Sequence, residues 1–257
     1  MSSSSFSKLG QYGRLCNSMW QLATLISYCK KHNKTPLIPE WEYLKCFKSL
    51  PIPSNNIIVD KIYNEPSFTY NEIPNFQYQV DLLGYFQSPK YLDGIDVIEL
   101  FELKDEYKTK VNELYNNLNP EKLKTCSLHI RRGDYLIEPH LSYHGVLPSS
   151  YYSNAIRELY GASFNKIQYL VFSDDIEYCE RTFVGLNNIV FVKGNEDIID
   201  LFLMSKCNDN IIANSSFSYW SYLLNQNKAK RCVAPKNWFS GANLDTSDLY
   251  LPEMFVI

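Results

Sequence analysis

TCSLHIRRGDYL, residues 125–136, runs from six uncharged residues straight into two arginines, a glycine and an aspartate. A short run without a charge, ending at a polar loop, suits a strand buried inside a parallel sheet. The rest of the C-terminal half repeats the pattern. IQYLVFSDD (167–175), NIVFVKG (188–194), NIIANS (210–215) and KRCVAP (230–235) read as strands. Between them SSYYSNAIRELYG (149–161), IEYCERTF (176–183), EDIIDLFLMSKC (196–207) and SFSYWSYLLNQN (216–227) read as helices. Strands alternating with helices imply βαβ units, whose right-handed crossovers gather the carboxyl ends of the strands at one edge. The polar clusters HIRRGDY, FSDD, VKGNED and IANSSFS all fall just past a strand. The fold class is α/β, with a ligand crevice expected where those ends converge.

The N-terminal half is less regular. NSMWQLATLISYCKKHN (17–33) has helical spacing, and TPLIP (35–39), NNIIVDKIY (55–63) and FQYQVDLLGYF (76–86) read as strands separated by a proline-rich stretch. A helix over DEYKTKVNELYNNLNPEK (105–122) ends near Asn119-Pro120. That boundary divides the chain into halves 1–119 and 120–257.

The formal net charge of −3 over 257 residues argues against a general nucleic-acid binder. Residues 1–39 nevertheless hold Lys8, Arg14, Lys30, Lys31 and Lys34 and no acid, which suits an anionic ligand or a solvated helix face. Seven cysteines without a CxxC pair fit a reducing compartment better than a disulfide framework or a zinc site. The opening MSSSSFSKLG has no apolar signal core, and no apolar run reaches the length of a membrane span. A cytoplasmic protein is the expectation. The pattern GxxxxGK[ST], GxGxxG and a D-x-D pair are all missing, which removes P-loop and dinucleotide enzymes and leaves no support for a metal-bound nucleotide sugar.

Arg131 and Arg132 offer two permanently charged forks that can grip a diphosphate, or form salt bridges with Asp134 or Glu138. The Arg-Gly-Asp tripeptide at 132–134 is short enough to arise by chance, and an adhesion loop needs an extracellular setting. Asn214, Ser215 and Ser216 stand between a strand and a helix, where hydroxyls and free amides suit phosphate oxygens or a helix cap. Asp174 and Asp175 can bind a metal, accept from a guanine or ribose, or cap the helix that follows.

YGRLCNSMWQLA (12–23), GYFQSPKYL (84–92), HIRRGDY, FSDDIEYC, DLFLMSKCNDNIIANSSFSYWSYLLN (200–225) and VAPKNWF (233–239) together carry a family likeness. In that order, over nearly the whole chain, they resemble the α-1,2-fucosyltransferases of glycosyltransferase family eleven. The resemblance implies a GT-B-like architecture: two Rossmann-like halves, their parallel sheets facing a central cleft, with an acceptor-side N-terminal half and a nucleotide-sugar site in the second. It implies GDP-fucose as co-substrate, inversion at the anomeric carbon, and no metal or cofactor. The acceptor would be the 2-OH of a terminal galactose on a glycan; the oligomeric state is left open. On this likeness Gly13 and Asn17 close over the diphosphate and fucose. Arg131, Arg132, Asn214, Ser215 and Ser216 hold the diphosphate, and Asp174 or Asp175 accepts from the guanine. His129 orients the ribose or sugar, or merely packs. Arg131 supplies charge stabilisation, while the acceptor proton goes to Asp134, Glu138, His140 or His144, with Asp134 and His144 the favoured pair, or to solvent or a phosphate oxygen. Two other readings keep the residues but change the outcome: a transferase for a different nucleotide sugar, and a non-catalytic sugar- or nucleotide-binding module.

The chain departs from the family pattern at its start. Cys16 stands where the N-terminal loop has a second glycine, Trp20 replaces a phenylalanine, and MSSSSFSKLG lacks the apolar strand expected before that loop.

Overall fold

The computed structural model describes residues 2–185 and 188–257. The chain forms two compact units, Met1–Asp105 with Asp245–Leu251, and Glu106–Leu244 with Pro252–Ile257. In the first, strands β1 (Ser3–Ser5), β2 (Thr35–Leu37), β3 (Ile62–Asn64) and β4 (Val80–Leu83) make a sheet of order β2-β1-β4-β3. Every pairing in it is parallel. The strand read from residues 55–63 shrinks to β3, at the sheet edge.

The N-terminal loop does have a strand before it. β1 is built of serines, and Ser4 and Ser5 are wholly buried in the middle of the sheet. Apolar patterning misses such a strand because its partner is a charge. Asp81 on β4, 2% exposed, accepts from the Ser5 hydroxyl at 2.6 Å, the Ser7 amide at 2.7 Å and the Ser7 hydroxyl at 2.6 Å. A buried carboxylate is tolerated when hydrogen bonds to its charged form replace water. The helix Leu15–Lys31 then returns from β1 to β2, burying Met19, Trp20, Leu22, Ala23 and Leu25.

The second unit holds β5 (Lys124–Ile130), β6 (Ile167–Ser173), β7 (Ile189–Phe191), β8 (Asp209–Ile211), β9 (Cys232–Ala234) and β10 (Met254–Val256). They form an all-parallel sheet of order β10-β9-β8-β5-β6-β7. β5 to β9 and the helices between them lie where the apolar runs placed them. β10 was not expected; it is three residues long and pairs with β9 through Met254 opposite Cys232.

The dividing point falls at residues 105 and 106 rather than at Asn119-Pro120 because the helix Asp105–Leu118 is tied to the second sheet. Tyr115 OH lies 2.7 Å from Thr125 Oγ1, Gln168 Nε2 donates to the Leu118 carbonyl at 2.7 Å, and Lys110 pairs with Glu196 at 3.2 Å. Residues 245–251 join the first unit through Asp248, which accepts from the Tyr70 amide at 2.9 Å.

Helix Ser149–Tyr160 presses Tyr151, Tyr152, Ala155 and Ile156 onto Leu128, Ile130 and Val171. All seven cysteines are free and buried, and burial pushes the thiols of Cys29 and Cys126 up to about 12. Cys16 lies in the first turn of its helix, 2% exposed, so it fills core volume. Among the described residues no helix is long and apolar enough to cross a membrane.

Asp81→Ala strands the buried Ser5 hydroxyl and the Ser7 amide. It is expected to lower stability by roughly 2–3 kcal/mol in urea unfolding, the scale of lost hydrogen bonds to a charged acceptor.

Candidate functional site

In the second unit the chain leaves β5 for β6 and β7 on one side, then returns on the other side at β8. The carboxyl ends of β5 and β8 therefore flank a topological switch point, where open parallel sheets bind ligands. HIRRGDY runs out of the end of β5, NSSFS follows β8 and FSDD runs out of the end of β6, so three of the polar clusters stand at this edge by register alone.

The arginine loop is held by carboxylates. Arg131 Nη2 reaches Asp134 Oδ1 at 2.6 Å, and Nη1 reaches Asp174 Oδ2 at 2.9 Å. Arg132 Nε meets Asp175 Oδ2 at 2.9 Å, while its guanidinium lies 3.5 Å over the Tyr178 ring. Asp174 Oδ1 also accepts from the backbone amides of Arg132, at 2.9 Å, and Gly133, at 3.1 Å. Gly133 is required here: a Cβ would lie 2.5 Å from Asp174 Oδ2. Asp175 caps the helix Ile176–Thr182 by accepting from the Tyr178 amide at 3.1 Å, and its bond with Arg132 holds its carboxyl below the usual range. Both aspartates thus orient the arginine loop, and one also caps the helix.

Behind the loop, His129 is 4% exposed with Nδ1 2.9 Å from Ser218 Oγ. Burial, helped by the charge of Arg131, drives its pKa down to about 3, so the ring is neutral. Burial also lowers His144, to about 4. The His144 ring stacks on Tyr135 with centroids 4.4 Å apart and planes 4° from parallel. Tyr135 in turn carries the Arg131 guanidinium 5.2 Å from its centroid and donates its hydroxyl to the Asn214 carbonyl at 3.2 Å. Asn214 Nδ2 ties down the carbonyls of His144 at 2.9 Å and Trp238 at 3.2 Å. Ser215 is the helix cap, accepting from the Phe217 amide at 3.3 Å, and Ser216 opens the helix Ser216–Leu223. His129, Arg131, Arg132, Asp134, His144, Asp174, Asp175, Asn214, Ser215 and Ser216 are therefore one connected cluster. Among the described residues, no three His, Cys, Asp or Glu side chains gather closely enough to hold a metal ion.

The family model for glycosyl transferase family 11 matches residues 4–257. The chain belongs to glycosyl transferase family 11. The O-antigen biosynthesis glycosyltransferase WbnK of Escherichia coli is 38% identical over 199 residues, 73% of this chain and 66% of that protein. An alpha-1,2-colitosyltransferase of Escherichia coli is 33% identical over 185 residues, 66% of this chain and 59% of that protein. The mouse galactoside 2-alpha-L-fucosyltransferase Sec1 is 24% identical, over 82% of this chain and 62% of its own length. The match thus spans less than two thirds of each of these relatives. In fold, the chain is similar to the crystal structure of fucosyltransferase NodZ from Bradyrhizobium, with a TM-score of 0.59 at 14% identity, covering 87% of this chain and 93% of that one. POFUT1 in complex with GDP-fucose gives 0.55 at 10% identity, covering 91% and 98%. The family match and the fold likeness agree with a GT-B-like α/β fold of parallel sheets.

The remaining motif residues of this family 11 chain, Gly13 and Asn17, lie in the first unit. Gly13 has a φ of 83°, and a Cβ there would fall 2.0 Å from Asn17 Nδ2, so the loop folds down onto that amide. Asn17 Oδ1 accepts from Gln87 Nε2 at 2.9 Å, joining YGRLCN to GYFQSP. Motif reading missed Ser218, Tyr135 and Tyr178, which position His129, Arg131 and Arg132. Their signal was only that each lies inside a quoted motif as an unremarkable hydroxyl or aromatic.

Asp174→Ala frees two backbone amides, so hydrogen exchange followed by mass spectrometry should show faster exchange across residues 131–134 and little change in the β5 core. A folded pKa near 3 for His129 means that stability is complete above the unfolded value of about 6.5 and declines as pH falls below it, because the unfolded chain binds the proton first. His129→Gln should flatten unfolding free energy between pH 6.5 and 4 relative to the parent, read by urea titrations across that range.

Proposed function

We propose that the chain transfers L-fucose from GDP-fucose to a sugar hydroxyl, the 2-OH of a terminal galactose, with inversion and without a metal or other cofactor. The observation that carries this reading is the pair Arg131 and Arg132 at the switch point of the second unit, set by Asp134, Asp174 and Asp175 beside the helix that starts at Ser216. The GDP-fucose in the POFUT1 structure supports the donor, and the mouse relative's name supports the acceptor.

In this reading the second unit holds the nucleotide sugar and the first unit holds the acceptor. The acceptor oxygen attacks the anomeric carbon as the bond to the diphosphate breaks; the bonding pair leaves with the diphosphate, and the hydroxyl proton passes to a phosphate oxygen or to solvent. Negative charge therefore grows on the leaving group as the transition state is reached. Guanidinium groups fixed beforehand meet that charge with no further reorganisation, so they favour the transition state over the bound donor. Asp134 keeps the Arg131 fork aimed, and Tyr135, wedged against the neutral His144 ring, supports it from behind. Asn214, Ser215 and Ser216 present the loop and helix end to the phosphates. Gly13 and Asn17 give the first unit a tight loop for the sugar side.

A second reading has its own support: the 33% identical relative is an alpha-1,2-colitosyltransferase, so the donor would be a nucleotide-linked colitose bound by the same clamp.

Arg131→Ala should reduce GDP release from GDP-fucose in the presence of lactose by about 10²- to 10³-fold, the scale of losing one charge-stabilising donor, and leave the melting temperature nearly unchanged. Activity should persist in EDTA. Asp134→Asn separates two roles: a raised donor KM marks an orienting residue, whereas a fall in kcat at constant donor KM marks a proton acceptor. We expect the raised KM. Faster turnover with nucleotide-linked colitose than with GDP-fucose would replace the first donor by the second.

A further inference from the structure

The first unit has a switch point of its own. The chain leaves β1 toward β2 on one side and returns at β4 on the other, so the carboxyl ends of β1 and β4 flank a switch point, the place where open parallel sheets bind ligands. The loop after β1 carries Tyr12 and the loop after β4 carries Tyr85. Their rings meet edge to face, with centroids 6.3 Å apart and planes at 74°. Both remain largely open to solvent, at 40% and 44% exposure.

The backbone of this exposed pair is pinned by one buried and one half-buried side chain. Gln21, fully buried, donates Nε2 to the Tyr12 carbonyl at 3.3 Å and the Gly84 carbonyl at 3.1 Å, linking the two loops. Glu65, one residue past β3, accepts on Oε2 from the amides of Tyr85 at 2.7 Å and Phe86 at 3.0 Å. Burial raises the Glu65 carboxyl, and only those two amides pull it back. Phe86, a non-glycine residue, sits at φ 51°, in the left-handed region. A buried amide, a half-buried carboxylate and a strained residue are a costly way to hold a surface loop. Such strain persists where a fixed conformation is used.

What it fixes is two aromatic rings with few rotamers, each with an apolar face and a hydroxyl tip. That combination suits a pyranose, which has an apolar C–H face and a polar rim. A carboxylate beneath the rings favours a neutral sugar over a phosphate. Building on the transferase reading above, we propose that Tyr12 and Tyr85 form the stacking platform for the terminal pyranose of the acceptor, with Gln21 and Glu65 as its positioning residues.

The test uses the whole chain and methyl β-D-galactopyranoside without any nucleotide. Saturation-transfer NMR should show contact to the sugar C–H protons in the parent and none in the Tyr12→Ala/Tyr85→Ala double variant. In turnover assays each single alanine variant should raise the acceptor KM by about tenfold, the worth of one good aromatic contact, with the donor KM unchanged. Glu65→Ala should do the same and Glu65→Gln, which keeps an acceptor oxygen, should restore most of the loss. Circular dichroism melting separates these effects from misfolding, because both tyrosines are exposed. A raised donor KM with an unchanged acceptor KM would overturn the proposal in favour of a donor contact. Unchanged KM values for both, or a parent whose NMR signal shows no contact with the galactoside, would overturn it outright. Sugar contact that is lost in the double variant while GDP-fucose fails to turn over would sustain the platform and sink only the donor assignment.

Discussion

Two parallel strands can be joined only by a chain that climbs back over the sheet, and every functional segment of this protein follows from that constraint. Both sheets are parallel throughout, so each strand delivers its carboxyl end to the same edge. The irregular, polar residues gather at those edges because the crossover side is occupied by helices. In each unit the direction of winding reverses once, beside β1 and beside β5, and the motifs with the least regular backbone sit at these two reversals.

At the second reversal the charges are nearly balanced. Arg131 and Arg132 face Asp134, Asp174 and Asp175, so the loop meets its ligand with guanidinium groups already satisfied. A bare pair of arginines would attract an anion more strongly but would hold no geometry. The carboxylates exchange some attraction for a defined direction, and Asp174 extends that order to the loop backbone through two amides. The aromatic rings of Tyr135 and Tyr178 serve the same end from the other side, filling space against which a flat guanidinium can lie.

The second unit was legible because its strands are short, mostly uncharged runs that the sheet buries and its helices are amphipathic. Burial and pattern there say the same thing. The first unit was harder for a physical reason: an inner strand is serine, made tolerable by one aspartate three strands further along the sequence. No window of neighbouring residues contains that partnership. The domain boundary misled for a related cause, since Asn119-Pro120 ends a helix without ending a unit, and the ties of that helix to Thr125, Gln168 and Glu196 are long-range or cross a turn. In the site, charged residues after strands were easy to single out. Their division of labour was not, because whether an aspartate accepts from a ligand, caps a helix or braces an arginine depends on distances. Asp175 does the last two together. Gln21 stood inside a quoted motif without a role of its own, and Glu65 gave no signal, because a glutamate before a proline is ordinary in sequence.

The seven buried cysteines have a practical consequence. A thiol that is inaccessible and raised toward 12 reacts with neither alkylating reagents nor peroxide at ordinary pH, since the thiolate is the reactive form. The two units contribute Cys16, Cys29 and Cys46 on one side of the division and Cys126, Cys179, Cys207 and Cys232 on the other. Each unit therefore carries a built-in clock of its own opening: the rate at which its thiols become labelled measures how often that unit alone exposes its core.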